Sequence, residues 1–107
     1  MHLALLLLRN IPKGKVTTYG ELARATGSSA RAIGSVMRSN KQPALYPCYK
    51  VVCSSGALGG YCGKTDGPNI KKKIALLERD GVVVRNNMVD LSLFFFGFYS
   101  VAMKRKI

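Results

Sequence analysis

The sequence predicts a mainly α domain with a small β element, organised around a helix-turn-helix, and three observations carry that expectation. Thr18-Tyr19-Gly20-Glu21 has the S/T-x-x-E form of a helix start, in which the two side chains satisfy each other's orphan backbone donors. Ser28 and Ser29 precede a second amphipathic run after only a Gly27 break, the spacing of two helices joined by a tight turn. The middle, Asn40–Gly63, holds Pro43, Pro47 and four glycines, which rules out a long helix there.

Taken in order, the apolar start MHLALLLLRNIP reads as a short core helix. A secretory signal is the competing reading, but the segment lacks a basic leader and a small-residue cleavage site. Ile11-Pro12-Lys13-Gly14-Lys15-Val16 is a turn. A helix from about Tyr19 should stop at Gly27, which suits a left-handed cap. The next helix, through about Ser39, puts Ala32, Ile33, Val36 and Met37 on its apolar side and Arg31, Ser35 and Arg38 opposite. Ala30 and Gly34 permit close approach of a DNA groove or, equally, of another helix. Tyr49–Cys53 has the composition of a short strand, and Ile70–Asp80 that of a helix with Lys71–Lys73 near its start and Gly81 as its stop. The tail, Val89–Met103, includes Asp90 and is shorter than the roughly 20 residues of a membrane span. It is expected to be buried or to face a partner, and no membrane association is expected.

Charge narrows the function. Seventeen Lys and Arg against five Asp and Glu give a net charge of +12 on 107 residues, distributed from Arg9 to Lys106. A polyanion partner fits, because each phosphate neutralised releases condensed counterions. A chain of this length forms one domain, 1–107. Cys48, Cys53 and Cys62 form no C-x-x-C pair, so the pattern suggests neither a disulfide framework nor a metal site, and fits a reducing compartment.

PCYKVV followed by SSGALGGYCG, together with IPKGKVTTYGELA, ARAIGSVMRSN and LLERDGV, resembles the DNA-binding domain of the O6-alkylguanine-DNA alkyltransferases. The resemblance runs from about Ile11 to Val83, leaving 84–107 as an apolar and basic extension. It implies a winged helix-turn-helix that enters the minor groove of double-stranded DNA, flips out O6-alkylguanine and moves the alkyl group irreversibly to a cysteine, without a cofactor. It implies a cytoplasmic, nucleoid-associated location, or a nuclear one in a eukaryote. The large N-terminal domain common in the family does not precede these motifs, so a second repair domain or protein is a candidate partner.

On that resemblance Cys48 is the acceptor, Arg31 fills the gap left by the flipped base and Tyr19 helps to rotate the nucleotide. Asn40 braces the link from recognition helix to active-site loop. Met37, Val51, Tyr61 and Cys62 fall at pocket positions, the last where the family has serine. Lys73 matches the lysine that opens the final helix, and Asp80 stands for a glutamate. The family's histidine and arginine after the cysteine are Tyr49 and Lys50 here.

The acceptor must become a thiolate, and the family's relay for removing its proton runs through that histidine and glutamate. Two routes are open in this chain. A relay through Tyr49 and Asp80 would need phenolate, because neutral tyrosine, with an ordinary pKa near 10, is a poor base. Alternatively Lys50 and the surrounding positive charge hold Cys48 as thiolate, which is the route the residues favour. A sensor of alkylated guanine that does not transfer the group is a second function. Such alkyltransferase-like proteins usually replace the acceptor cysteine, and this chain keeps it. A plain winged-helix regulator is a third, and it has no need of the PCYKVV block.

Overall fold

The computed structural model describes residues 2–59 and 67–98. Five helices and two small sheets follow in the order α1 (Leu3–Leu8), β1 (Thr17–Thr18), α2 (Tyr19–Thr26), α3 (Ala30–Arg38), β2 (Val51–Val52), α4 (Pro68–Arg79), β3 (Val84–Arg85), β4 (Met88–Val89) and α5 (Leu91–Phe94). A 3-10 turn, Cys48–Lys50, leads into β2.

The helix-turn-helix forms where the caps place it. Thr18 Oγ1 accepts the Glu21 N–H at 3.0 Å, and α2 ends on Gly27 in the left-handed region at φ 69°. The Ser28 N–H then reaches back to the Ala23 carbonyl at 2.8 Å, closing the helix end. Ser29 Oγ accepts the Ala32 N–H at 3.1 Å and starts α3. Glu21 departs from the expected capping box. Its carboxylate binds Arg24 and accepts the Phe98 N–H at 2.7 Å, rather than reaching back to Thr18.

Leu22, Ala23, Ile33 and Met37 turn these two helices into a core with Ala4 and Leu8 of α1. The apolar side of α3 is narrower than its sequence pattern suggests. Ala32 is exposed and Val36 only half-buried, so two residues, Ile33 and Met37, anchor the helix. The outward strip is then Ala30, Arg31, Ala32, Ser35 and Arg38. On α1, Leu3 and Leu6 remain exposed. Among the described residues, no helix is long and apolar enough to cross a membrane.

Two further expectations need correction. Tyr49–Cys53 is not one strand: Pro47 and the Cys48–Lys50 turn keep the chain coiled until Val51, and two residues, Val51–Val52, pair. They lie parallel to β1 in the register Thr17↔Val51 and Thr18↔Val52. Helix α4 begins at Pro68 rather than Ile70, since proline's fixed φ is tolerated in a first turn whose N–H groups have no intrahelical partner. It stops at Asp80, with Gly81 at φ 94°.

The wing is the hairpin β3–β4, with Val84↔Val89 and Arg85↔Met88 in register. Asn86 and Asn87 turn it at φ 52° and 57°, both left-handed, as a two-residue hairpin loop demands. Its inner edge is tied to the active-site strand's continuation: the Leu58 N–H donates to the Asn87 carbonyl and the Val89 N–H to that of Gly56. The chain beyond the wing is partly core. Phe96 N–H donates to the Val16 carbonyl, Val16 N–H to that of Phe94, and Phe98 is buried edge-on to Phe96.

Gly56 is the tight point of this joint. At φ 92° an added Cβ would lie 2.5 Å from the Val89 carbonyl oxygen. Gly56→Ala should therefore cost about 2–4 kcal/mol, read as a shifted urea midpoint with unchanged slope. A neutral substitution would show that wing and strand are not packed as described.

Candidate active site

Cys48 opens the 3-10 turn that packs against α1 and α4, 5% exposed, with its N–H donated to the Tyr46 carbonyl at 2.7 Å. Asn40, just past α3, holds the approach to this turn. Its Nδ2 donates to the Tyr46 carbonyl at 2.8 Å and its Oδ1 accepts the Gln42 N–H at 3.0 Å. The bracing role expected of Asn40 thus has a geometry.

The three lysines Lys71–Lys73 differ in their surroundings. Lys71 and Lys72 are exposed, whereas Lys73 is fully buried. Its Nζ donates to the Val51 carbonyl at 2.7 Å and to that of Leu58. Burial pushes its pKa down to about 8, against the opposing pull of Cys48 and Cys53. Those two sulfurs therefore share the electrostatic environment of one buried ammonium.

Tyr19, at the first position of α2, belongs to the same cluster. Burial, then Cys53 and Cys48, raise its pKa to about 12, and the Arg38 guanidinium works the other way. Gly59 leaves it room, since a Cβ there would stand 3.2 Å from the Tyr19 ring and 3.3 Å from Cys53 Sγ. Cys53 was not singled out by sequence reasoning; its place beside Tyr19 depends on a fold-back between β2 and the wing. Met37 and Val51 are buried at the rear, and Arg31 is exposed on the first turn of α3. Tyr61 and Cys62 lie outside the described residues.

Tyr49 and Asp80 meet as expected, but not as a proton relay. The Tyr49 hydroxyl donates to Asp80 Oδ2 at 2.8 Å. Burial first, then this hydrogen bond and the carboxylate's charge, push the phenol up to about 12. The proton therefore stays on the tyrosine at neutral pH. The geometry also moves Lys50 away from the role of activator. Its buried Nζ donates to the Ile11 carbonyl at 3.1 Å and stands 3.5 Å from Asp80 Oδ2. Lys50 and Asp80 thus tie the α1 exit turn and the end of α4 to the turn that bears the cysteine. Among the described residues, no group of three His, Cys, Asp or Glu side chains is arranged to hold a metal ion.

These features define a winged helix-turn-helix domain with a cysteine-bearing turn packed against α1 and α4. The family model of the DNA-binding domain of 6-O-methylguanine DNA methyltransferase matches residues 3–82, and the chain belongs to that family. A bifunctional methyltransferase/endonuclease of Picrophilus torridus is 42% identical over a 103-residue alignment that covers 92% of this chain and 33% of that protein. The chain thus spans about a third of that relative's length. The O6-methylguanine-DNA methyltransferase structure from Pyrococcus kodakaraensis superposes with a TM-score of 0.64 at 39% identity, covering 74% of this chain and 44% of that one. Schizosaccharomyces pombe Atl1, solved with DNA containing O6-carboxymethylguanine, gives 0.76 at 25% identity, covering 87% and 90%.

The two kinds of buried group predict opposite pH effects on stability. Lys73 ionises at about 8 in the fold against an ordinary 10.5, so its contribution is full above pH 10.5 and is lost as pH falls to 8. Tyr19 and Tyr49 are raised from 10.0 to about 12, so theirs is full below pH 10 and is lost as pH climbs to 12. Relative to Lys73→Met, the wild-type chain should gain stability between pH 8 and 10. Parallel curves for the two chains would contradict the assignment.

Proposed function

We propose that the chain binds duplex DNA, extrudes O6-alkylguanine and transfers the alkyl group to Cys48. The observation that carries this is a buried Cys48 whose electrostatic neighbourhood includes Tyr19 and the Lys73 ammonium, in a domain whose α3 presents exposed arginines. Extrusion costs a few kcal/mol of unstacking and unpairing. Arg31 offsets it by filling the vacated space, with only alanines flanking it on the helix surface.

Cys48 Sγ attacks the carbon attached to guanine O6. The S–C bond forms, and the C–O bond breaks with its electron pair left on the oxygen. The guanine anion then takes a proton from water. The thioether remains on Cys48, so each chain acts once. The thiol loses its own proton to solvent beforehand, and the Lys73 charge favours the resulting thiolate, because a nearby cation stabilises the anionic form. This replaces the expected action of Lys50, which is held on carbonyl oxygens of the α1 exit turn. Tyr49 and Asp80 position the turn instead of carrying a proton. The setting is a reducing compartment that contains DNA, and the Picrophilus relative's compound name makes a second repair domain or protein a reasonable partner.

A second reading, a sensor that binds alkylated guanine without transfer, is favoured by two observations. Tyr49 holds its proton against Asp80, and the chain superposes along nearly its whole length with Atl1. Intact mass after incubation with an O6-methylguanine duplex decides between the readings. Transfer predicts one added methyl, mapped to Cys48 and absent from Cys48→Ala, whereas an unchanged mass would establish the sensor.

The activation route has its own test in single-turnover rates. Tyr49→Phe should retain transfer to within about threefold, whereas Lys73→Met should slow it at neutral pH by about tenfold, the effect of one unit in thiol ionisation. The reverse ranking would return the proton relay to Tyr49.

A further inference from the structure

The exposed strip of α3 carries two guanidinium groups and nothing between them longer than serine. Arg31 stands on the first turn and Arg38 on the last, both exposed. Seven residues at about 1.5 Å rise set them roughly 10 Å apart along the axis, or about three nucleotide steps of 3.4 Å. The two arginines therefore leave the helix from its opposite ends.

Arg38 is the more organised of the pair. Its Nη2 donates to Ser35 Oγ at 3.0 Å, and its Nη1 lies over Gly34, where an added Cβ would stand 3.7 Å away. The side chain is thus folded along its own helix. Ser35 takes one of the five donors of the fork, and among the described residues no carboxylate pairs with it. By contrast Arg24 is paired with Glu21 and Lys50 with Asp80. The Arg38 charge also acts on Tyr19, opposing the rise that burial gives its pKa. A guanidinium fork held along its own helix, with no carboxylate partner among the described residues and its charge felt by Tyr19, has the chemistry to take two oxygens of a phosphodiester.

We infer that Arg38 is a substrate-binding residue that grips the backbone phosphate next to the extruded guanine and sets that nucleotide against Tyr19. The inference rests on the DNA-binding reading above. It divides the labour of α3 between its ends: Arg31 replaces the base, and Arg38 holds the strand from which the base has left. Ser35 and Gly34 are positioning residues for the fork, one as a hydrogen-bond acceptor and the other by leaving its path open. The alternative for Arg38 is a solvated cation that complements the negative end of the helix dipole, which would act on stability and not on a ligand.

The test is the salt dependence of binding to a short duplex carrying one O6-methylguanine, measured for the full chain, Arg38→Gln and Arg38→Lys. Each phosphate contact contributes about 0.9 to the slope of log K against log[salt]. Arg38→Gln should be shallower than wild type by about that amount. Arg38→Lys should recover the slope, yet transfer from the duplex more slowly than wild type, because an ammonium restores charge without the fork. Parallel slopes for wild type and Arg38→Gln would overturn the inference. The slope reads binding alone, so the result stands or falls independently of whether Cys48 accepts the alkyl group. A wild-type chain with no salt-dependent affinity for duplex would instead overturn the DNA-binding reading, and this inference with it.

Discussion

A buried ammonium must find oxygen acceptors, and in this fold Lys73 finds them on β2 and on the loop that follows it. Its carbonyl partners belong to Val51, beside the cysteine-bearing turn, and Leu58, at the inner edge of the wing. One side chain from α4 therefore joins that helix to β2 and to the loop that pairs with the wing. Leaving such a group buried and unpaired would be costly, which makes the arrangement of those three elements interdependent. Cys48 and Cys53 lie in the electrostatic neighbourhood of the same group and pull its pKa upward against burial. A depressed lysine pKa records the compromise between burial and those partners.

The second link, Tyr49–Asp80–Lys50, shows a connection preserved while its chemistry changes. Aspartate is one methylene shorter than glutamate, and tyrosine reaches farther than histidine, so the phenol spans to the shorter carboxylate at 2.8 Å. The tie between cysteine turn and helix end survives, but a phenol that donates its proton to a carboxylate is not a base. Lys50 extends the tie to the Ile11 and Pro12 carbonyls, bringing the exit of α1 into the same network. Tyr49, Lys50 and Asp80 thus hold the Cys48-bearing turn to the exit of α1 and the end of α4.

Much of this fold is written in short-range signals. Thr18, Gly27, Ser29 and Gly81 mark helix ends because capping is local chemistry, and each acts where its residue type suggests. What periodicity missed depends on tertiary contact. Ala32 fits an apolar stripe but faces outward, because α3 is covered on one narrow side by α1 and α2. Lys73 sits in a run of three lysines, and only the packing of α4 against β2 shows which one turns inward. The Asn86-Asn87 pair is a hairpin signal in its own right, one that a search centred on helices and cysteines passes over. Within the site, Asn40 and the Tyr49–Asp80 pairing were readable from the family motifs. The direction of that hydrogen bond and the capture of Lys50 by backbone carbonyls were not, since neither leaves a pattern in residue types.

The account turns on which group sets the ionisation of Cys48. Thiolate absorbance in the ultraviolet, followed against pH as the difference between each chain and its Cys48→Ala counterpart, reads that ionisation without DNA. The wild-type and Tyr49→Phe chains should show the Cys48 thiolate appearing over the same pH range, and Lys73→Met should shift its appearance to higher pH. A curve that moves with Tyr49→Phe and stays in place with Lys73→Met would contradict the account.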